Sequence, residues 1–157
     1  MSKISVIGAG NVGATIVNDL MVQGVASEIV LVDIRKKKAI GEALDVYQSA
    51  PYMAPASIKA GGYEDTKDSD IVIVTCGMPR KPGMTRLELA QTNVDIIRDI
   101  APVLTKFSPH AIYVIVANPV DILTYAFIKF SGLPQRQVFG TGTILDTSRL
   151  QSELSAL

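Results

Sequence analysis

Gly8-Ala9-Gly10-Asn11-Val12-Gly13 decides the fold, because it follows an apolar, β-branched run at residues 4–7 and opens a stretch of helical spacing at 12–23. Each glycine has a mechanical reason to be there. Gly8 permits a tight turn out of the strand, Gly10 leaves the backbone bare where a pyrophosphate would approach, and Gly13 lets strand and helix pack closely. The first-turn N–H groups of Asn11, Val12 and Gly13 then face the anion at the positive end of the helix. Taken alone, glycine spacing of this kind is a weak signal.

Working outward, β-branched runs recur at 29–32, 71–75 and 112–116, with weaker ones at 57–60 and 138–140. Helical spacing lies between them at 37–49, 87–107 and 120–130, and again from Asp146 onward. This alternation predicts an α/β fold, a doubly wound parallel sheet of the Rossmann kind with helices covering both faces. Pro102 is expected to kink the third helix. No repeat, low-complexity tract or linker interrupts the pattern, so residues 1–157 are expected to form a single domain. The last segment, 150–157, is helical in pattern and carries no glycine stop, so the reading expects a truncated chain.

The second strand strengthens the glycine signal. It ends at Asp33, 20 residues after Gly13, where a carboxylate can accept hydrogen bonds from both ribose hydroxyls of a dinucleotide. The same charge would repel a 2′-phosphate, so the expected cofactor is NAD rather than NADP. The plainer alternative is an aspartate that caps the next turn.

Bulk composition narrows the class. Fifteen basic and fifteen acidic side chains cancel, which removes the electrostatic footprint of a nucleic-acid binder. The run Arg35-Lys36-Lys37-Lys38 reads as a solvated helix start rather than a polyanion site. Cys76 is the only cysteine, which agrees with a reducing compartment. The longest apolar run, 111–117, is far too short to span a membrane. The expected setting is cytoplasmic, with no membrane and no nucleic acid as partner, and no metal site is expected.

After the strand at 71–75 comes Cys76-Gly77-Met78-Pro79-Arg80-Lys81-Pro82-Gly83-Met84-Thr85-Arg86, rich in chain breakers and carrying three cations. It leaves the carboxyl end of a central strand, the edge at which open α/β sheets bind ligands. A cationic lid and an ordinary surface loop are both compatible with that composition.

Further motifs stand in order along the chain: Gln91-Thr92-Asn93, Val116-Ala117-Asn118-Pro119, Gly140-Thr141-Gly142-Thr143, and Asp146-Thr147-Ser148-Arg149. With the glycine loop, Asp33 and the lid, this ordered set resembles the lactate/malate dehydrogenase family over essentially the whole length. The resemblance implies that Arg86 closes with the lid and polarises the substrate carbonyl, where negative charge grows in the transition state. It implies that Arg149 clamps the substrate's first carboxylate with its planar fork, and that Asn118 hydrogen-bonds substrate. Gly77, Asn93, Val116 and Asn118 would touch cofactor, and the bond before Pro119 would be cis. Asp146 would orient a catalytic histidine, although it could equally be a helix N-cap paired with Arg149.

Arg80, six residues before Arg86, stands where the family reads the substrate side chain. A second carboxylate needs a cation there, whereas a methyl group would leave a guanidinium unpaired, so the expected substrate is malate/oxaloacetate. Leu87-Glu88-Leu89 resembles lactate enzymes instead, which keeps L-lactate dehydrogenase as the alternative, beside a non-catalytic nucleotide-binding module. The family's general acid/base histidine has no counterpart. His110, the only histidine, precedes the strand at 112–116 and so falls at the amino edge of the sheet. The expectation is therefore the cofactor half of a dehydrogenase without its catalytic domain, inactive alone. Ile40, Ala43, Leu44 and Tyr47 form an apolar stripe that would face a partner subunit in a homo-oligomer, a dimer or tetramer, or else pack on its own sheet.

Overall fold

The computed structural model describes residues 2–52, 56–79 and 82–156. Six strands, β1 (Lys3–Ile7), β2 (Glu28–Val32), β3 (Ser57–Gly61), β4 (Ile71–Val74), β5 (Ile112–Ile115) and β6 (Val138–Gly140), form one sheet in the order β3-β2-β1-β4-β5-β6. Every pairing is parallel, with Ile7 beside Val32 and Val74, and Val74 beside Ile115. The order reverses between β1 and β4, and that switch point opens a crevice at the carboxyl edge. The helices are α1 (Asn11–Gln23), α2 (Lys36–Tyr47), α3 (Arg86–Phe107), α4 (Val120–Ser131) and α5 (Ile144–Ser155).

Strand alternation divides the core in two. On one face Val72, Val74, Tyr113 and Ile115 pack against Ile97, Ile100 and Leu104 of α3 and against Leu123 and Phe127 of α4. On the other, Ile4, Val6, Ile29 and Leu31 meet Val17 and Met21 of α1 and Ala39, Ala43 and Val46 of α2. Burying each large side chain contributes roughly 1.5–3 kcal/mol. Tyr113 stacks at 4.9 Å on Phe127 and donates its hydroxyl to the Ser108 carbonyl, so its polar tip is satisfied inside the core.

Two expectations need correction. The sheet is not covered on both faces throughout: on the α1 side, Ile71, Ile73, Ile112 and Val114 are only half-buried and Phe139 is 52% exposed. α5 starts at Ile144, with Thr143 rather than Asp146 as its N-cap, and none of its residues is buried. Of the apolar stripe of α2, Ala43 is buried, while Ile40, Leu44 and Tyr47 stay about half exposed along a groove shared with Ile58 and Ala60. α3 continues through Pro102, beside which Thr105 donates its hydroxyl to the Ala101 carbonyl. No helix among the described residues is long and apolar enough to cross a membrane.

Candidate functional site

The chain leaves β1 through Gly8 at φ +110°, a conformation that L side chains rarely adopt. Its N–H donates to the Val32 carbonyl at 2.7 Å, holding the loop against β2. Gly10 caps α1 without a side-chain hydrogen bond, and no acidic residue occupies the helix's first turn. The first amides, from Asn11, Val12 and Gly13, are thus left for an anion.

A Cβ on Gly10 would meet nothing within 4 Å, so the space beside the loop is open. A Cβ on Gly13 would overlap the Gly8 carbonyl oxygen, which confirms the close packing expected there. Thr75 adds a tie the sequence did not reveal: its hydroxyl points at the carbonyls of both Ile7 and Gly8, each at 3.1 Å. The glycine loop is thereby bound to the end of β4.

Asp33 directly follows β2, with its side chain 8% exposed. Its Oδ2 accepts the Ala9 N–H at 2.8 Å and its Oδ1 the Arg35 N–H at 2.8 Å, with Arg35 Nε at 3.4 Å. Burial raises the Asp33 pKa, but the amides of Arg35 and Ala9 and the Arg35 guanidinium outweigh it and hold the carboxyl below its ordinary range. The residue is therefore a fixed anion. Each oxygen keeps acceptor capacity for a hydroxyl beyond its amide bond.

These groups line a cleft of ≈ 620 Å³, in which Gly8, Gly10, Asp33 and Gly77 face Tyr63, Ile96 and Ile100. Ile7, Val32, Tyr63, Ile96 and Ile100 give the lining the apolar character a purine would need, and Gly8 and Gly10 bring in the bare backbone of the glycine loop. The residues present fit a dinucleotide: bare backbone for phosphates, a carboxylate for a ribose, and a hydrophobic slot for a base. Tyr63 lies on a 3-10 turn (Tyr63–Thr66) too short to leave a periodic signal, whereas the four-residue spacing of Ile96 and Ile100 places both on one readable face of α3. Burial, then the neighbouring Cys76 and Asp33, raise the Tyr63 pKa.

Cys76 also lines the cleft, and burial pushes its thiol up to about 12. It stays protonated at neutral pH and is a poor nucleophile. A disulfide reagent is expected to label the native chain far more slowly than the urea-unfolded chain, with NADH slowing it further. Equal rates in the native and unfolded chains would contradict this placement.

The remaining site residues divide. Val116 and Asn118 follow β5, next to β4, and the Asn118–Pro119 bond is cis. Asn93 is 2% exposed and sits behind the loop, with its carboxamide bonded to the backbone of Met78 and Asn118. Arg86 is the exposed first residue of α3, anchored by a capping box in which Thr85 Oγ1 accepts the Glu88 N–H and Glu88 Oε2 accepts the Thr85 N–H. A cation at this positive helix end is locally unfavourable. Arg80 and Lys81 lie outside the described residues.

Arg149 donates to Asp146 Oδ1 at 3.0 Å, with both side chains more than two-thirds exposed. Asp146 therefore braces Arg149, the pairing that stood as the plainer alternative. Arg86 and Arg149 both follow carboxyl ends of strands in one parallel sheet, whereas His110 is exposed at the amino end of β5. Among the described residues no group of His, Cys, Asp or Glu is arranged to hold a metal ion.

Comparison with known proteins gives one family. Residues 2–140 match the model of the lactate/malate dehydrogenase NAD-binding domain. The chain is 54% identical over 154 residues to an L-lactate dehydrogenase of Clostridium perfringens, covering 98% of this chain and 49% of that protein. Among solved structures it resembles the minor L-lactate dehydrogenase of Enterococcus mundtii, with TM-score 0.95, 42% identity, and coverage of 99% of this chain and 50% of that one. The malate dehydrogenase of Archaeoglobus fulgidus in complex with NADH gives TM-score 0.93 and 40% identity, covering 98% and 53%. The chain thus spans about half the length of the proteins it matches.

Proposed function

Since the chain belongs to the lactate/malate dehydrogenase family and its cofactor is NAD, we propose that it is the cofactor-binding half of a 2-hydroxy-acid dehydrogenase acting on L-lactate and pyruvate. The substrate assignment rests on the 54% identity to an L-lactate dehydrogenase. It replaces the malate preference read from Arg80, which the curated relatives do not support. NAD supplies or accepts the hydride when bound.

The chain's own residues do the rest. The first-turn amides of α1 hold the phosphates and Asp33 the ribose, while Val116, Asn118 and Gly77 flank the nicotinamide end. Arg86 brings positive charge to the substrate oxygen on which negative charge grows. Arg149, turned away from Asp146, clamps the carboxylate with two parallel N–H bonds. Turning costs little, because an exposed pair of this kind is worth about 0–1 kcal/mol. Among the described residues no histidine stands at the carboxyl edge to move the substrate proton, since His110 lies at the opposite edge, so we assign that step to a second half like the one its relatives carry. The uncovered α5, with Leu150 and Leu154 about 60% exposed, and the half-buried strand face near Phe139 are surfaces such a second half would cover. Ile40, Leu44 and Tyr47 offer a face for a second subunit.

A second reading, malate/oxaloacetate, has Arg80 in its favour and the likeness to the malate dehydrogenase structure at TM-score 0.93. Fusing this chain to the second half of the Clostridium perfringens relative and following NADH oxidation separates the two. Pyruvate is expected to be reduced faster than oxaloacetate, and Arg80→Gln to widen the gap. A preference of about tenfold or more for oxaloacetate, worth about 1.4 kcal/mol, would transfer the assignment to malate.

A further inference from the structure

Ile96, Asp99 and Ile100 stand at i, i+3 and i+4 on α3 and so share one face, and all three line the cleft. Ile100 is buried, Ile96 half-buried and Asp99 exposed, so the carboxylate forms the rim of an otherwise apolar wall. Its acceptor capacity is unspent, since among the described residues it makes no hydrogen bond or ion pair. Its own helix offers no counter-charge. The residues one turn away are Asp95, Ile96, Pro102 and Val103, and the adjacent Arg98 is turned to Asp95 at 2.6 Å and to the ring of Phe130. Among the described residues the one cation lining the cleft, Arg35, is bonded to Asp33.

Tyr63 joins this wall to the ribose site, because it feels the charge of Asp33 and packs on the core cluster that holds Val32 and Ile100. A purine whose ribose is on Asp33 therefore enters between the end of β2 and α3. N9 carries the ribose and C6 lies across the ring from it, so the edge bearing the 6-amino group is the one that reaches the rim. That amine is the base's exocyclic donor, whereas its bare ring nitrogens accept. We propose that Asp99 is a specificity-determining residue, which accepts a hydrogen bond from the 6-amino group and so selects adenine over a 6-oxopurine. This rests on the reading of the cleft as an NAD site. A 6-oxo group would set one acceptor against another. Water reaches the carboxylate and screens the contact, so the preference is modest in size.

Wild type and Asp99→Asn are titrated with NADH and with reduced nicotinamide hypoxanthine dinucleotide, which differs only in the purine, by the nicotinamide fluorescence common to both. Wild type is expected to bind NADH about tenfold more tightly, the size of one hydrogen bond to a charged group. Asparagine keeps the shape and offers a donor to the 6-oxo group, so the variant is expected to bring the ratio to within about twofold. Asp99 is exposed and unpaired, so the change spares the fold. Equal affinity of wild type for the two dinucleotides would overturn the role of Asp99 and leave the cofactor reading intact. So would an unchanged ratio in the variant, even with both affinities raised, since that is general relief of repulsion between a carboxylate and an anionic ligand. Failure of wild type to bind either dinucleotide would overturn the cofactor reading and this inference with it.

Discussion

Gly13→Val is expected to abolish NADH binding and to lower stability by at least about 3 kcal/mol, the upper range for overpacking. The first carbon of the new side chain would overlap the Gly8 carbonyl oxygen and stand 2.9 Å from Thr75 Oγ1. These are backbone and a tied hydroxyl, which cannot step aside as a flexible side chain could. Helix α1 must move off the loop, and the amides it presents move with it. For a chain of this size the loss amounts to about 10 °C in melting temperature. Gly41→Ala is the matched control, since a Cβ there meets nothing within 4 Å and the helix interior of α2 favours alanine by about 1 kcal/mol. Thermal melts of the two variants should move in opposite directions. A Gly13→Val chain that melts like wild type and binds NADH would contradict the packing described.

The second large effect is at Asp33. Asp33→Ala removes an acceptor from the Ala9 and Arg35 amides as well as from the ribose, and hydrogen bonds to a charged group are each worth roughly 1.5–3 kcal/mol. NADH affinity is expected to fall by about a hundredfold or more, equivalent to at least about 2.7 kcal/mol. Stability without nucleotide also falls, because the glycine loop loses one of its two ties to the end of β2, the other being the Gly8 N–H to the Val32 carbonyl. The pH dependence has a definite sign. The Asp33 pKa is lowered in the folded chain from an ordinary value of 3.8, so its contribution is complete above that value and is lost as pH falls toward the folded pKa. Wild type should therefore lose more stability than Asp33→Ala as pH drops below about 4. Acid melts with identical slopes would remove the carboxylate from this role.

How much of this was legible in the residues depends on the kind of signal each element gives. The four central strands and four helices were readable because β-branched runs and 3.6-residue spacing have one physical cause each, and the structure moves their ends by only a residue or two. The glycine loop was readable because sterics at Gly8 and Gly13 allow nothing larger. Coverage of the sheet was misjudged, because alternation in β4 and β5 reports what a strand could bury and not whether a helix is present to bury it. The exposed α5 shows the same limit.

At the site, Asp33 was found as a ligand for ribose, but its grip on Ala9 was not, since side chain to loop bonds leave no periodic trace. Thr75 was missed for that reason, and Tyr63 because its 3-10 turn is too short to show a period. Asn93 was assigned through family resemblance to cofactor contact, and only coordinates reveal its carboxamide bonded to two loops. The substrate was read from Arg80 and the lid around it, residues 79–86, and similarity over the rest of the chain to L-lactate dehydrogenases weighs against it.

The central claim is that a dinucleotide lies across the carboxyl edge with its phosphates on the amides after Gly10 and its ribose on Asp33. Titrating the chain with NADH and NADPH under identical salt tests it most directly, because a 2′-phosphate must approach a fixed carboxylate at a cost on the order of a few kcal/mol. NADH should bind at least about a hundredfold more tightly than NADPH. Equal affinity for the two, or tighter binding of NADPH through Arg35 and the lysines that follow it, would contradict the account.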